Sequence, residues 1–334
     1  MSLVASLAAL LGAAVLSFGL IRLLHPLLVR YALARPNARS SHKVPTPQGG
    51  GIAVVVAFLV VGLPALVAVA GAAALPSFAV LAAAILVLAV LGAVDDIRPL
   101  PALPRLLVQL GAVAAVVVWA GPGRILPEAV PLWLERSLLV LAGAWWVNLT
   151  NFMDGIDWIT LAEFVPMTAF LAALGVLGIT EAAAGPLAAA FCGALLGFAP
   201  ANRPVARLFL GDVGSLPIGL LSGWLLLSLA ASGHLAAALL LPLYYVADAT
   251  LTLVRRAARG ERVWEAHRSH FYQQATANGF SVLEVDARIL ALNLALAALA
   301  AATIAWPALV WPDLLAGAAL VGLVLRLFAT PRSV

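Results

Sequence analysis

The stretch Asn148-Leu-Thr-Asn-Phe-Met-Asp-Gly-Ile-Asp157 sets two amides and two carboxylates at the edge of an otherwise apolar chain. Continued as helix, Asn151, Asp154 and Asp157 recur at i, i+3 and i+6 and share one face. Gly155 would keep that face slim enough for a ligand to approach. The alternative reading is a solvated helix end after a membrane span. A second acidic site closes an apolar run at Leu91-Gly-Ala-Val-Asp-Asp-Ile-Arg-Pro-Leu100. Adjacent carboxylates there need water, a cation or a basic partner to compensate them. Asp95 and Asp96 could hold a hard divalent cation that takes phosphate oxygens as its other ligands. They could equally be a helix-ending pair answered by Arg98, while Arg105 opens the next span on the same side and could neutralise phosphate. In Asn202-Arg-Pro-Val-Ala-Arg-Leu-Phe-Leu-Gly-Asp-Val-Gly-Ser215, Asp212 sits between glycines at a loop-to-helix junction, where Asp212 and Ser215 could also cap the helix.

Two further stretches supply donors. Ser41-His-Lys-Val-Pro-Thr-Pro-Gln-Gly-Gly-Gly51 fixes extended backbone with two prolines and opens a helix whose N–H groups could face a phosphate. The alternative is a stiff loop in which His42 and Lys43 are solvated. The last large loop begins with Asp248 and runs through a basic segment to Ala266-His-Arg-Ser-His-Phe-Tyr-Gln273. The basic segment suits anionic lipid headgroups. His267, Arg268 and His270 suit diphosphate or sugar oxygens as donors.

These groups must be positioned by a membrane bundle. The chain of 334 residues is 64% hydrophobic and 10% charged, with a mean hydropathy of +1.07, outside the range of soluble domains. About eleven windows can span a bilayer, with ten as the alternative: near 3–24, 51–71, 76–94, 104–120, 137–151, 159–178, 184–200, 213–231, 234–253, 287–305 and 308–328. The first lacks a basic leader and carries Arg22 and Arg30 at its far end, which reads as a retained span. With the 24–50 loop in the cytoplasm, Arg and Lys fall on that side in nearly every loop, only Arg124 and Arg136 lying opposite. The N-terminus is therefore expected outside and the C-terminus inside. Membrane orientation, rather than nucleic acid, accounts for the net charge of +4. Cys192 alone rules out an internal disulfide. The fold expected is all-α, one membrane-embedded domain over 1–334, with active loops near 25–50, 95–105, 151–160, 201–215 and 254–287.

Asp95, Asp96, Asp154, Asp157 and Asp212 thus gather with several basic residues on one membrane side. Carboxylates so gathered repel and take up protons unless a cation holds them. A magnesium-dependent phosphoryl-transfer site at span ends is the expectation, serving one water-soluble and one membrane-borne substrate.

In Pro47-Gln-Gly-Gly-Gly-Ile52, Asp95-Asp96, Asn151-Phe-Met-Asp-Gly-Ile-Asp157, Phe209-Leu-Gly-Asp-Val-Gly-Ser215 and the histidine loop, the chain resembles the polyprenyl-phosphate N-acetylhexosamine-1-phosphate transferases over nearly its whole length. The resemblance implies a bacterial inner-membrane enzyme in which undecaprenyl phosphate attacks the β-phosphorus of a UDP-N-acetylhexosamine and UMP leaves. It implies magnesium, with manganese as an alternative, held by Asp212, Asn151 and Asp154. By the same resemblance Asp95, Asp96, Asp154, Asp157, Asp212 and His270 are catalytic, and Lys43, Arg105, Asn148, Asn151, His267 and Arg268 bind substrate. A homodimer stays open. The histidine loop departs from the common His-x-His-His run, with Tyr272 and Gln273 in the later positions. It is similar to the branch transferring N-acetylfucosamine or N-acetylquinovosamine in O-antigen and capsule assembly; N-acetylglucosamine is the alternative donor. A cation-coupled transporter would place its carboxylates near the bilayer midplane in broken, repeated helices. A membrane scaffold would leave the carboxylate clustering unexplained.

Overall fold

The computed structural model describes residues 3–34, 45–263 and 267–332. Among these, eight helical stretches are long and apolar enough to cross a membrane. They comprise α1 (Leu3–Tyr31), α2 (Gly51–Ala70), α3 (Leu75–Ile97) with the short turn before it, and α4 (Ala102–Ala115) with the π-turn Val116–Ala120. After α5 (Leu132–Met153) come α6 (Ile159–Val176), the shorter apolar α7 (Ala184–Phe198) and α8 (Asp212–Ala231). The chain finishes with α9 (Leu235–Leu240), α10 (Leu243–Ala258), α11 (Phe271–Ala277), α12 (Val282–Ala305) and α13 (Val310–Ala329). A two-residue ribbon pairs β1 (Leu33–Ala34) antiparallel with β2 (Thr46–Pro47).

The remaining three of the eleven apolar windows fall on α5, α7 and the α9–α10 pair. The window over 234–253 is interrupted at Leu241-Pro242, because proline cannot donate to the turn before it. α8 is the central helix: 89% of its apolar window is buried, against 22% for the C-terminal span. α2, α3, α5 and α9 pack around it, and a second group of α1, α6 and α7 packs alongside. Large apolar side chains such as Leu11, Leu23 and Leu27 on α1 and Leu315 and Leu323 on α13 stay exposed. That is the outward face expected of lipid-facing helices.

Two glycines bring the ends of α2 and α3 onto the start of α8. A Cβ on Gly92 would stand 2.2 Å from the Asp212 carbonyl oxygen, and one on Gly51 would stand 2.2 Å from the Gly214 Cα. Backbone therefore meets backbone where the acidic motifs converge.

Candidate active site

The site is built on the N-terminus of α8. That end leaves backbone N–H groups without helical partners and carries a partial positive charge. Asp96, from the last turn of α3, fills this need: its Oδ1 accepts from Asp212 N at 3.0 Å and its Oδ2 from Val213 N at 3.2 Å. Gln48 Nε2 donates to the Asp96 carbonyl at 2.9 Å and ties the glycine segment to the same point. The glycine N–H groups do not face a phosphate, contrary to one reading of the sequence. Gly49 and Gly50 donate to Phe209 O at 3.2 and 2.9 Å, and Gly51 donates to Leu210 O at 2.9 Å. The loop before α8 lies beside them and satisfies them first.

Asp95 is held differently. Its Oδ1 accepts from Leu100 N at 2.6 Å and its Oδ2 pairs with Arg105. Arg105, not the exposed Arg98, answers the acidic pair.

The amide-and-carboxylate motif does not continue as one helix. α5 ends at Met153, and Asp154 takes φ −82° and ψ 58°. A loop then leads to Trp158, whose left-handed φ of 62° is the only one outside glycine among the described residues. Residues elsewhere in the chain hold this loop open. Asn202 Oδ1 accepts from Trp158 N at 2.8 Å, and the Tyr272 hydroxyl lies where a Cβ on Gly155 would stand, 2.0 Å away. Glycine is required there because α11 covers it directly.

Asn151, Asp154 and Asp157 nevertheless reach one place. With Gln48, Asp96, Asn202 and Asp212 they line a cavity of about 200 Å³. Asn151 Nδ2 donates to Ser215 Oγ at 2.9 Å, Thr160 Oγ1 donates to Asp154 Oδ1, and Asp157 Oδ2 accepts from Ala206 N at 2.9 Å. Burial pushes the Asp154 carboxyl up to about 7 against the pull of the Thr160 hydroxyl, and the charges of Asp96 and Asp157 add to the rise. Among the described residues no lysine, arginine or histidine lines this cavity. Four carboxylates and an amide oxygen without a facing cation are a hard-oxygen donor set of the kind divalent cations take. Among the described residues no three His, Cys, Asp or Glu side chains converge tightly enough to hold an ion by themselves. Asn151 and substrate oxygens would have to complete any shell.

Asn151 also lines a second, larger space of about 820 Å³. Leu106, Leu110, Leu141, Trp145 and Leu253 form its apolar wall, and Arg105, Asn148, Asn151, His267, His270 and Gln273 its polar end. Asn148 is fixed by donating to Gln109 Oε1 at 2.6 Å and to Ala144 O at 2.9 Å.

The two histidines differ in proton placement. His270 Nδ1 lies 3.3 Å from Asp248 Oδ1, and a carboxylate only accepts, so Nδ1 carries the proton and Nε2 is left for a ligand. His267 Nδ1 accepts from Ser269 N at 3.3 Å, which puts its proton on Nε2 when the ring is neutral. Burial, with His270 and Arg256 nearby, holds His267 down to about 4, so at pH 7 it is a neutral donor.

Arg268 is exposed and lines neither space, and Lys43 lies outside the described residues. Residue patterns alone gave no role to Asp248, Gln48 or Thr160. Asp248 is fully buried and accepts from Phe271 N at 2.9 Å and Tyr272 N at 3.1 Å as well as from His270. Its signal was available, since a carboxylate inside an apolar helix demands partners.

The chain is similar in sequence to known proteins. The chain is 29% identical over 293 residues to the decaprenyl-phosphate N-acetylglucosaminephosphotransferase of Mycobacterium tuberculosis (strain ATCC 25618 / H37Rv), spanning 75% of this chain and 70% of the relative. It is 34% identical over 232 residues to the phospho-N-acetylmuramoyl-pentapeptide-transferase of Synechococcus sp. (strain JA-3-3Ab), spanning 63% and 64%. The same-named protein of Nostoc sp. (strain PCC 7120 / SAG 25.82 / UTEX 2576) is 36% identical over 178 residues, 46% of this chain and 47% of the relative. Residues 78–230, from α3 to the end of α8 and including all five acidic residues around α8, match the family model described as glycosyl transferase family 4.

Proposed function

We propose that the protein transfers an N-acetylhexosamine 1-phosphate from a UDP-sugar to a polyprenyl phosphate and releases UMP. The observation that carries this reading is the position of Asn151, which lines both the carboxylate cavity and the long apolar groove with its polar end. A nucleotide diphosphate with its cation suits the first space. A lipid phosphate with its chain along Leu106, Leu110 and Leu141 suits the second. The names of the relatives, with their polyprenyl-phosphate and amino-sugar phosphate chemistry, support the same class.

In this reading a lipid phosphate oxygen forms the bond to the β-phosphorus of the donor while the oxygen bridging to the α-phosphorus leaves with UMP. A phosphate monoester with a second pKa of about 6 is mostly dianionic at pH 7, so the attacking group needs no strong base. The work of the chain is placement and charge neutralisation. Arg105 and the Nε2–H of His267 present donors to phosphate oxygens, while Asn148, with both N–H bonds spent on Gln109 and Ala144, and His270, with its Nδ1 proton held by Asp248, turn an amide oxygen and Nε2 toward the substrate. Asp212, Asp154 and Asn151 would hold magnesium, or manganese in its place, which supplies positive charge at the diphosphate. Asp96 keeps the start of α8, and with it Asp212, in position.

We place the enzyme in a bacterial inner membrane with this end of the bundle in the cytoplasm, by the distribution of Arg and Lys among the loops. The loop His267-Arg268-Ser269-His270-Phe271-Tyr272-Gln273 supports a 6-deoxy donor, N-acetylfucosamine or N-acetylquinovosamine, and a role in O-antigen or capsule assembly, with N-acetylglucosamine as the alternative. The test is UMP release by purified protein with undecaprenyl phosphate, magnesium and a panel of UDP-N-acetyl sugars, with and without chelator. Lipid- and metal-dependent release from one sugar is expected. Silence across the panel from folded protein refutes the reading.

A further inference from the structure

A second basic pocket lies at the same end of the bundle and, among the described residues, shares none with the carboxylate cavity or the apolar groove. It measures about 570 Å³ and is lined by Arg22 and His25, three residues apart on α1, and by Arg207 from the loop between α7 and α8. Its floor is apolar, with Phe18, Ile21 and Pro200. Among the described residues no carboxylate lines it. The Arg22 guanidinium stacks on the Phe18 ring at 4.9 Å, and among the described residues neither Arg22 nor Arg207 has an ion-pair partner. On the same stretch of α1, Leu23 and Leu27 are exposed as lipid-facing side chains are.

We propose that this pocket binds the headgroup of an acidic phospholipid of the surrounding bilayer. Two guanidinium groups and an imidazole with no countercharge among the described residues match a phosphodiester, as basic residues at a membrane surface do. The apolar floor, continuous with a membrane-facing helix, matches the acyl chains, for which a free phosphate has no counterpart. The pocket has a consequence for the site. Arg207 shares its loop with Asn202, which holds Trp158 N, and with Phe209 and Leu210, whose carbonyls accept from the glycine segment. A lipid bound at Arg207 braces the segment that delivers Asp212.

The experiment is native mass spectrometry of the full chain released from nanodiscs of mixed phosphatidylglycerol and phosphatidylcholine, which counts retained lipid without reference to turnover. Wild-type protein is expected to retain one phosphatidylglycerol in preference to phosphatidylcholine. Arg22→Gln or Arg207→Gln should each weaken that retention roughly fivefold and the double variant roughly 25-fold. Arg326→Gln, an exposed arginine at the end of α13, should leave it unchanged. Equal retention of the two lipids by wild-type protein overturns the proposal, as does loss of retention in Arg326→Gln equal to that in the double variant. Displacement of the lipid by millimolar inorganic phosphate would assign the pocket to the free anion and overturn it too.

Discussion

Replacing Asp248 by asparagine tests whether one buried carboxylate holds the histidine loop. Asp248 Oδ1 accepts from Phe271 N at 2.9 Å and from His270 Nδ1 at 3.3 Å, while Oδ2 accepts from Tyr272 N at 3.1 Å and the Tyr244 hydroxyl at 3.2 Å. Asparagine keeps one acceptor oxygen and turns the other into an amide nitrogen that meets an N–H. Whichever way it is flipped, one buried backbone N–H loses its acceptor, at a cost of about 1–3 kcal/mol, and the surviving bonds lose their charge assistance, about 1 kcal/mol more. A total of roughly 2–4 kcal/mol raises the local opening of α11 roughly 30- to 1000-fold. Hydrogen exchange read by mass spectrometry on peptides covering 267–277 should show that loss of protection while peptides from α8 keep theirs. Transfer activity should fall with it, because His270 loses both its tautomer and its place. Unchanged protection over α11 would refute the argument that Asp248 is the tether.

Other substitutions probe neighbouring parts of the argument. Asp212→Asn should abolish UMP release while leaving the melting temperature near wild type; near-normal rates would remove Asp212 from the reacting centre. His270→Ala should reduce turnover more than His267→Ala, since only His270 has a carboxylate behind it, and equal mild losses in the same assay would return the loop to lipid binding. Gly92→Ala would push a Cβ to 2.2 Å from the Asp212 carbonyl oxygen, so a loss of about 1–3 kcal/mol in stability is expected together with lost turnover; an unchanged melting temperature would mean that the helices are not locked at this point. The folded state lowers His267 from 6.5 to about 4, so its neutral ring contributes fully above pH 6.5 and that contribution is lost as pH falls toward 4. Protection of the 267–277 segment should decline across that window in wild type and less steeply in His267→Gln. Identical slopes would exclude the ring as the cause.

The residues that line the two spaces were largely visible as polar islands between apolar windows, because charged groups at span ends in such density demand an explanation. Their bonding was not visible. The expectation that Asn151, Asp154 and Asp157 share a helix face failed because Asn202, from the loop before α8, and Tyr272, from α11, stabilise a turn after Met153. The expectation for the glycine N–H groups failed for the same reason, with Phe209 and Leu210 as acceptors. Local periodicity describes what a segment can bury, and neither of these partners lies within the segment. The break at Leu241-Pro242 is the opposite case, since its cause is the local backbone chemistry of proline.

The bonding also separates carboxylates that look equivalent in the sequence. Asp95 is neutralised by Arg105, and both oxygens of Asp96 accept from the start of α8, so each already has a structural duty. Asp154 keeps an ionisation near neutrality and shares with Asp212 a cavity that no basic side chain lines among the described residues. The Arg105 guanidinium and the two histidines stand on the groove side instead. In the proposed reading, negative groups are thus collected where a diphosphate would need a cation between itself and the protein, and positive or donor groups where a lipid phosphate would need none. If the two sets were mixed in one cavity they would pair with each other, and neither would be available to a substrate. Asn151 lines both spaces, and Asp95, next to Asp96 in the chain, pairs with Arg105 of the groove, so these residues are where binding on one side can be felt on the other.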